Sequence, residues 1–349
     1  MANELKYDDP KCQRFNDSLD QDGKITIAHY SEFPSRILFD MDPIAYNDAF
    51  EGFLDDSYEE LKSSVYNNYP SCIAYNFRLS EKGEGADDPV RRLLHLKDTW
   101  ESIVFVLYAI VFGEIREKSI ILKSCQIIQQ IDSVGNPIYV SFNSKRLLTD
   151  AIKTKIQNLK AIIEHSKANN LFLKCELITS NLLDKLLDLQ DIRNDISHHA
   201  SPTKEQAEEE LKTVIPIFQQ MLEETVFLED IKILRFESFT SKCKCEVFNG
   251  HALNKEYGDY DFGSKQLFVL GLGRESLFVD WDGEVFCLSP FLHFDKDNSG
   301  HESYLAFFKG RKINKYWFEP VKIRMEKSFD HLTLRFESET NILLSLIVP

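Results

Sequence analysis

The sequence predicts an α+β protein, with helices up to about residue 235 and β-strands beyond it. In the first part, apolar residues recur every three or four positions, which is the period of an amphipathic helix. In the second part, short runs rich in β-branched and aromatic residues are separated by turn residues. Together with a polar linker at 81–88, these changes predict three parts: a helical lead-in with a polar arm (1–88), a helical bundle (89–235) and a β-rich domain (236–349).

Composition and charge restrict the classes of function. The 349 residues are 43% hydrophobic and 12% aromatic, as expected for folded domains with buried cores. The net charge of −15 argues against a general nucleic-acid binder, which usually presents a basic face. The excess is local, since residues 1–230 contain 25 Lys and Arg against 39 Asp and Glu, whereas residues 231–349 contain 16 against 17. We therefore expect any RNA binding to use a local patch.

The expected compartment is the cytoplasm. Seven cysteines without regular pairing, and an N-terminus that does not resemble a signal peptide, indicate a reducing environment. The longest apolar run, Ile103 to Gly113, is too short to cross a bilayer. We predict a buried helix there and no membrane association.

The lead-in carries no pattern that indicates a chemical function. Residues 1–24 are predicted to be a polar arm, and Lys24–His29 a strand. Helical spacing begins at Pro43, and Pro70 is predicted to open a second, short helix.

Four amphipathic helices are predicted in the central part, where they would form an antiparallel bundle. They cover approximately Pro89–Lys118, Ser144–His165, Thr179–Arg193 and Thr203–Leu228. The last helix has two candidate starts: Ser201 as a cap with Pro202 at the first helical position, or Thr203 in a capping box with Gln206.

Residues 119–143, between the first two of these helices, are ambiguous. Their isoleucines suit a longer helix, whereas Gly135-Asn136-Pro137 predicts a turn. A strand at Ile138–Phe142 would follow that turn.

The last part is predicted to form a compact β-sheet or a small barrel. Its candidate strands are Lys244–Phe248, Gln266–Leu270, Ser276–Val279, Glu284–Leu288, Ser303–Phe308, Tyr316–Ile323, His331–Phe336 and Ile342–Val348. Trp281-Asp282-Gly283 predicts a hairpin between two of these runs, because Asp-Gly favours a tight turn.

The stretch from Asp191 to His199 carries the strongest functional signal, at a junction between two predicted helices. Arg193 is permanently charged and presents a planar fork of donors that suits phosphate oxygens. His198 can transfer a proton in either direction near neutral pH. Together the two side chains can bind a phosphodiester and move a proton at it without a metal.

The pattern Arg193-Asn194-x-x-x-His198 resembles that of the HEPN superfamily, whose active members carry Arg, a polar residue and then His four to six positions after the Arg. His199 also falls within this spacing, and the resemblance covers about residues 89–235. It implies a four-helix domain that dimerises and cleaves RNA with no metal or cofactor. The ribose 2′-hydroxyl attacks the adjacent phosphate, which leaves a cyclic phosphate and a free 5′-hydroxyl.

The resemblance also implies roles and partners. His198 would act as general base or acid, Arg193 would stabilise charge on the phosphoryl oxygens, and Asn194 would orient the pair. By analogy, the chain would be a homodimeric endoribonuclease acting as a toxin-like or antiviral defence effector, with RNA and a cognate regulatory protein as partners. The alternative is a non-enzymatic interaction module that binds a protein partner, in which Arg193 and Asp195 pair with neighbours and His198 helps to end a helix.

An acidic residue on the first bundle helix would support the site, since many HEPN domains have one near the active site. Asp98 and Glu101 are the candidates. The alternative for both is a solvated helix face, and the sequence favours that alternative.

Three further sequence patterns resemble binding sites. Cys243, Cys245, His251, Cys287 and His293 could hold zinc, but a Cys-x-x-Cys pair is missing, so no metal is expected. Asp295 to Gly300 begins like a calcium loop, yet Ala306 stands where a bidentate Glu is needed, which favours a polar turn. Lys309 to Lys312 with Lys315, Tyr316 and Trp317 can touch RNA through charge and stacking, although a solvated hairpin tip is favoured.

Overall fold

The computed structural model describes residues 41–131, 134–171, 173–197 and 202–348, without the side chains at 43, 46–57, 131, 144 and 194–197. The chain divides between Ser64 and Val65 into two compact units. The predicted polar arm and the strand at Lys24–His29 lie outside the described residues. Both predicted domain boundaries, at 88/89 and 235/236, fall within the second unit, and the three-part division stays a prediction.

Helix α1 (Pro43–Asn68) begins where the sequence predicts a helix. The Asp42 carboxylate accepts hydrogen bonds from the backbone N–H groups of Ile44 (3.1 Å) and Ala45 (3.0 Å). A short acidic side chain in this position satisfies N–H groups that have no partner inside the helix. The start of α1 is thus fixed by the residue that precedes it.

Eight further α-helices follow α1 in the described part of the chain. They are α2 (Ser71–Lys82), α3 (Pro89–Glu117), α4 (Ser144–Leu147), α5 (Ile152–Ala168), α6 (Ser180–Ser197), α7 (Lys204–Glu223), α8 (Gln266–Leu272) and α9 (Thr333–Leu346). Among the helices described, none has the length and apolar character needed to cross a membrane.

The strands in the described residues form two larger sheets and two small pairs. Their bounds are β1 (Leu122–Lys123), β2 (Gln126–Ile131), β3 (Pro137–Ser141), β4 (Ile231–Phe239), β5 (Cys243–Val247), β6 (Glu256–Tyr260), β7 (Leu277–Trp281), β8 (Glu284–Cys287), β9 (Leu292–Lys296), β10 (Ser303–Lys312), β11 (Lys315–Pro320), β12 (Lys327–Ser328) and β13 (Ile347–Val348). One sheet has the order β6-β5-β4-β7-β8 and the other β12-β11-β10-β9, with β2 paired to β3 and β1 to β13. Helices and strands together confirm the predicted α+β class.

Helix α3 is the element around which the second unit packs. Asp88 caps it, since its carboxylate accepts from the Val90 N–H at 3.0 Å, and Pro89 occupies the first turn. Every residue from Ser102 to Ile115 is buried. A helix that is buried on all faces needs partners on all sides, and α3 contacts α2, α5, α6, α7 and α9 as well as β8 and β9.

The four predicted central helices are present, with one interruption. They correspond to α3, α5, α6 and α7, and α6 contacts the other three. The predicted helix from Ser144 is broken, because α4 ends at Leu147 and α5 begins at Ile152. Between them the Thr149 hydroxyl accepts from the Ala151 N–H at 3.1 Å, a local bond that competes with helical pairing.

The ambiguous segment after α3 is a hairpin, so a helical extension there is wrong. Ile127 pairs with Val140 across the antiparallel strands β2 and β3. Ile127 is buried whereas Ile128 is exposed, the alternation of a strand with one covered face. The strand predicted at Ile138–Phe142 is confirmed within one residue.

In the last part, most predicted strands are confirmed and three are wrong. The hairpin of β7 and β8 is present, and its turn residues Asp282 and Gly283 both have positive φ (49° and 81°). Gln266–Leu270 lies in helix α8, while His331–Phe336 and Ile342–Val348 fall largely in a 3₁₀ turn and helix α9. The buried positions of α9, namely Phe336, Thr340 and Leu343, have helical spacing. The apolar runs around them also suited strands, which is why the prediction failed.

Lys155 of α5 is fully buried, with 0% of its surface exposed. Its ammonium lies 4.3 Å from the ring centroid of Tyr108, 5.2 Å from that of Phe105 and 5.9 Å from that of Phe291. Among the described residues, no hydrogen-bond partner reaches its Nζ. Cation–π attraction is therefore the main interaction of this amine with its surroundings.

Burial lowers the pKa of Lys155 from 10.5 to about 7. Asp150 raises the pKa and Lys309 lowers it further, but burial is the largest cause. Below pH 7 the fold must hold a buried charge, and at higher pH it must release a proton that the unfolded chain keeps. Each unit of pKa difference costs about 1.4 kcal/mol, so Lys155 destabilises the fold at neutral pH.

Replacing Lys155 with Met should raise the free energy of unfolding by about 2 kcal/mol at pH 7, because an apolar side chain fills the aromatic site without a buried charge. Between pH 7 and 10.5 the unfolded wild type binds more protons than the folded one, so wild-type stability rises with pH. The advantage of the variant should therefore shrink across that range in urea titrations at pH 7, 8.5 and 10.

The matched control is Lys153→Met on the same helix. Lys153 is exposed and lies 2.6 Å from Asp191, and its loss should bring no gain in stability. A Lys155→Met protein less stable than wild type at pH 7 would contradict the argument.

Candidate functional site

The junction between α6 and α7 carries the sequence motif. Helix α6 reaches Ser197, and Thr203 caps α7: its hydroxyl accepts from the Gln206 N–H at 3.3 Å, while the Gln206 side chain accepts from the Thr203 N–H at 2.9 Å. This reciprocal capping box confirms the second of the two predicted starts. His198 and His199 lie outside the described residues. Asn194 is in α6, and its side chain is not among those described.

Arg193, near the end of α6, faces Glu101 of α3. The Arg193 Nε lies 3.7 Å from Glu101 Oε1. The Glu101 side chain is only 16% exposed, whereas that of Arg193 is 38% exposed. The Arg193 guanidinium thus lies between solvent and the largely buried carboxylate of Glu101.

The expectation that Asp98 and Glu101 lie on a solvated face is wrong. Asp98 is buried, and its carboxylate accepts from the Arg324 guanidinium and lies 3.2 Å from Lys97 Nζ. The physical reason is the position of α3, which is covered by other elements along this stretch. The sequence spacing of these two residues on one helix cannot show that cover.

Burial also changes the acidity of Glu101. It raises the pKa of this carboxyl, and the neighbouring Asp98 adds to the rise. The positive charges of Lys97, Arg193 and Lys309 lower the pKa and offset part of the effect. Glu101 is therefore a carboxylate that holds a proton more readily than an exposed Glu does.

Glu101 opens on a small cavity of about 30 Å³, here called the Glu101 pocket. Its charged lining consists of Asp98, Glu101, Lys309, Glu319 and Arg324, and Phe105 and Phe307 form part of its apolar lining. The volume suits one or two water molecules or a single polar group, and not a whole nucleotide. Side chains from α3, β10, β11 and the segment after β11 thus converge beside Arg193.

Arg324 adds an unusual backbone feature to this pocket. Its φ is 52°, a left-handed conformation that costs energy for a residue with a Cβ. The Arg324 N–H donates to the Pro320 carbonyl at 3.0 Å, and its guanidinium donates to Asp98. These two hydrogen bonds help to offset the cost of the left-handed backbone conformation of Arg324.

The basic–aromatic cluster is a hairpin tip, as the favoured alternative predicts. Ile313 and Asn314 form the turn between β10 and β11, and Ile313 is 96% exposed. Tyr316 is buried, so its ring is not available for stacking on a base. Lys309 differs from the rest of the cluster because it lines the Glu101 pocket.

The zinc candidates do not converge. In the described residues, no group of three or more His, Cys, Asp and Glu side chains is placed to hold a metal ion. Burial raises the pKa of Cys245 to about 12, which disfavours the thiolate that zinc requires. His293 is buried between aromatic rings, with Phe329 at 4.3 Å and Phe294 at 4.8 Å between centroids.

A wider groove of about 530 Å³ lies between the start of α3 and helix α7. Pro89, Leu211, Ile215 and Pro216 make up much of its lining. Arg193, the motif residue whose side chain the structure describes, does not line this groove, so size alone does not mark the site.

Replacing Glu101 with Gln should leave the melting temperature at pH 7 unchanged or slightly higher, because the net environment disfavours the charged carboxyl. A raised pKa in the fold means that the folded state binds more protons, so wild-type stability falls as pH rises through the folded pKa. The difference between the two proteins should therefore disappear below about pH 4.5, the ordinary value for Glu.

Glu117→Gln at the end of the same helix serves as the control, since it loses a half-exposed contact of 3.1 Å with Lys265 and should gain no stability. A large drop in melting temperature for Glu101→Gln at pH 7 would show that the Arg193 contact outweighs the burial cost.

Comparison with known proteins found no family model, no curated protein and no solved structure that matches this chain.

Proposed function

We propose that this chain is a metal-independent endoribonuclease of the HEPN type, acting in the cytoplasm as a toxin-like or antiviral defence effector. Arg193, Asn194 and His198 carry the reaction in this proposal, and no cofactor takes part. RNA is the substrate, and a cognate regulatory protein restrains or activates the enzyme. The biological role rests on the resemblance of the motif alone.

The observation that supports the proposal best is the 3.7 Å approach of Arg193 and Glu101. A carboxylate on the first helix of the central part is what the resemblance calls for beside the motif Arg. The Nε edge of the Arg193 guanidinium faces Glu101, and a planar guanidinium fork is the donor geometry that suits phosphate oxygens. The partial exposure of Arg193 leaves room for a substrate on the solvent side.

The proposed reaction is a transesterification. A base takes the proton of the 2′-hydroxyl, whose oxygen then bonds to the adjacent phosphorus. The bond from phosphorus to the 5′-oxygen breaks, and an acid returns a proton to that oxygen. Arg193 stabilises the negative charge on the phosphoryl oxygens throughout, and His198 serves one of the two proton transfers.

The number of histidines that the reaction needs supports a homodimer. One motif supplies one histidine at the position that the resemblance assigns to catalysis, whereas the reaction needs a base and an acid on opposite sides of the phosphorus. His199 is adjacent in sequence, and consecutive residues of a helix or turn point in different directions. A two-fold homodimer would bring a second His198 to the same cleft, with an interface around residues 190–203.

The second candidate function is an interaction module without catalysis. The hairpin of β2 and β3 favours it, because several apolar side chains there are exposed: Ile128, Val134, Ile138 and Tyr139. Clustered apolar side chains on a protein surface commonly mark a protein interface. In this alternative, the Arg193–Glu101 contact only links α6 to α3.

In the nuclease proposal, purified protein should cleave single-stranded RNA in excess chelator and leave a cyclic phosphate. DNA of the same sequence should survive because it lacks the 2′-hydroxyl. Arg193→Ala and His198→Ala should each lower the rate at least 100-fold with little change in melting temperature. Product analysis by mass spectrometry and thermal unfolding of each variant would check both parts.

Leu186→Ala is the control for folding, since Leu186 is fully buried and its truncation should cost about 2–5 kcal/mol. The nuclease proposal would be contradicted by cleavage of DNA, by loss of activity with chelator, or by an Arg193→Ala protein as active as the wild type. Each of these results would favour the interaction module.

A composite active site makes a separate prediction. Wild-type and His198→Ala chains mixed under conditions that exchange subunits should form heterodimers that lose most of the activity. Titration of the mixing ratio, with the oligomeric state followed by sedimentation, would measure this. A loss strictly proportional to the fraction of variant, or an active monomer, contradicts the shared cleft.

A further inference from the structure

Strand β10 contains a β-bulge at Lys309. Phe308 pairs with Phe318, and the next pair joins Gly310 to Trp317, so Lys309 is an extra residue in the strand. Gly310 has a φ of 129°, which a residue with a Cβ rarely adopts. Bulges of this kind change the direction of a side chain and are frequent next to active sites.

The bulged residue turns towards the Glu101 pocket. Lys309 and Phe307 both line this pocket, and the Phe307 ring stacks on Phe105 of α3 with 4.5 Å between centroids. The Lys309 ammonium lies 5.6 Å from the Phe105 centroid. Its charge is near enough to Glu101 to lower the pKa of that carboxyl. Lys309 and Arg193 therefore approach the same carboxylate from different parts of the fold.

The other cations of the hairpin point elsewhere. Arg311, Lys312 and Lys315 form ion pairs with Glu337, Glu326 and Asp330. Lys309 has a longer contact, 3.4 Å, with Glu319, which lines the same pocket. A partly exposed pair of this length contributes little free energy, so a phosphate that offers its two non-bridging oxygens to Lys309 can replace it.

We propose that Lys309 binds a phosphate of the RNA strand beside the one held by Arg193, and that Glu319 is the carboxylate this phosphate displaces. The inference rests on the proposed function for its substrate. It assigns the β-rich part a direct contact with RNA and restricts that contact to one residue of the basic hairpin. The pocket is too small for a base, so the contact is to the backbone and is insensitive to sequence.

The test uses a fluorescent 2′-O-methyl RNA oligonucleotide, which lacks the attacking hydroxyl and reports binding without cleavage. Lys309→Met should raise its Kd about tenfold, as expected for loss of a charged hydrogen bond. It should also reduce the slope of log K against log salt by about 0.7, the contribution of one phosphate on a single strand. Lys309→Arg should keep most of the affinity, and Glu319→Gln should tighten binding.

Lys312→Met is the matched control, because it removes the same charge from the same hairpin outside the pocket and should change Kd less than twofold. Equal effects of the Lys309 and Lys312 variants, or no loss in Lys309→Met, would overturn the inference even if the wild type cleaves RNA. Selective loss of binding in Lys309→Met without any cleavage by the wild type would support the contact and refute the nuclease. Failure of the wild type to bind the oligonucleotide would refute both.

Discussion

The burial of α3 on every face is the constraint on which the rest of the second unit depends. Its apolar residues need cover from helices and strands, and its carboxylates need partners within that cover. Glu114 is fully buried and accepts from the backbone N–H groups of Lys174 (2.5 Å) and Cys175 (3.0 Å). Asp98 and Glu101 instead form side-chain ion pairs, with Arg324 and Arg193 respectively. Each carboxylate therefore fixes a different segment against the helix, and the Glu101 pocket lies where two such segments meet.

Local signals in the sequence predict much of this fold. The cap at Asp88, the capping box at Thr203 and the Asp282-Gly283 turn are each determined by a few neighbouring residues. Short apolar runs are harder to assign, because those in β2 and α9 suit either a strand or a helix until the tertiary structure covers one set of residues. Their identity depends on distant partners, and the sequence pattern around them does not name those partners.

The residues of the candidate site also differ in how far the local sequence determines their position. The motif at Arg193 is visible because its residues are close in the chain. Glu101 is identifiable as a candidate from its helix, yet its burial comes from elements that follow it by many residues. Lys309 stands in an obvious basic cluster, but the direction of its side chain depends on the β-bulge at Lys309, which the sequence marks only by the following Gly310. Sequence patterns therefore locate such residues better than they orient them.

If the chain binds RNA as proposed, the electrostatics of the Glu101 pocket show how an acidic protein would hold a polyanion. Lys97, Arg193, Lys309 and Arg324 gather beside three carboxylates, and the described contacts pair cation with anion. A substrate phosphate would exchange partners with carboxylates already present and would gain less than it would on a bare basic face. Such a site suits a protein that binds RNA weakly and selectively.

The parallel pairing of β1 with β13 has a consequence for synthesis of the chain. Leu122, just after α3, pairs with Ile347, and α9 also contacts α3. At about 5–20 residues per second, a ribosome delivers these last elements on the order of ten seconds or more after α3 has emerged. Helix α3, which is buried on every face from Ser102 to Ile115 in the fold, must wait that long with part of its surface uncovered. Nascent chains thus pass through an interval in which chaperones or self-association compete for α3, and slow translation of the β-rich part lengthens that interval.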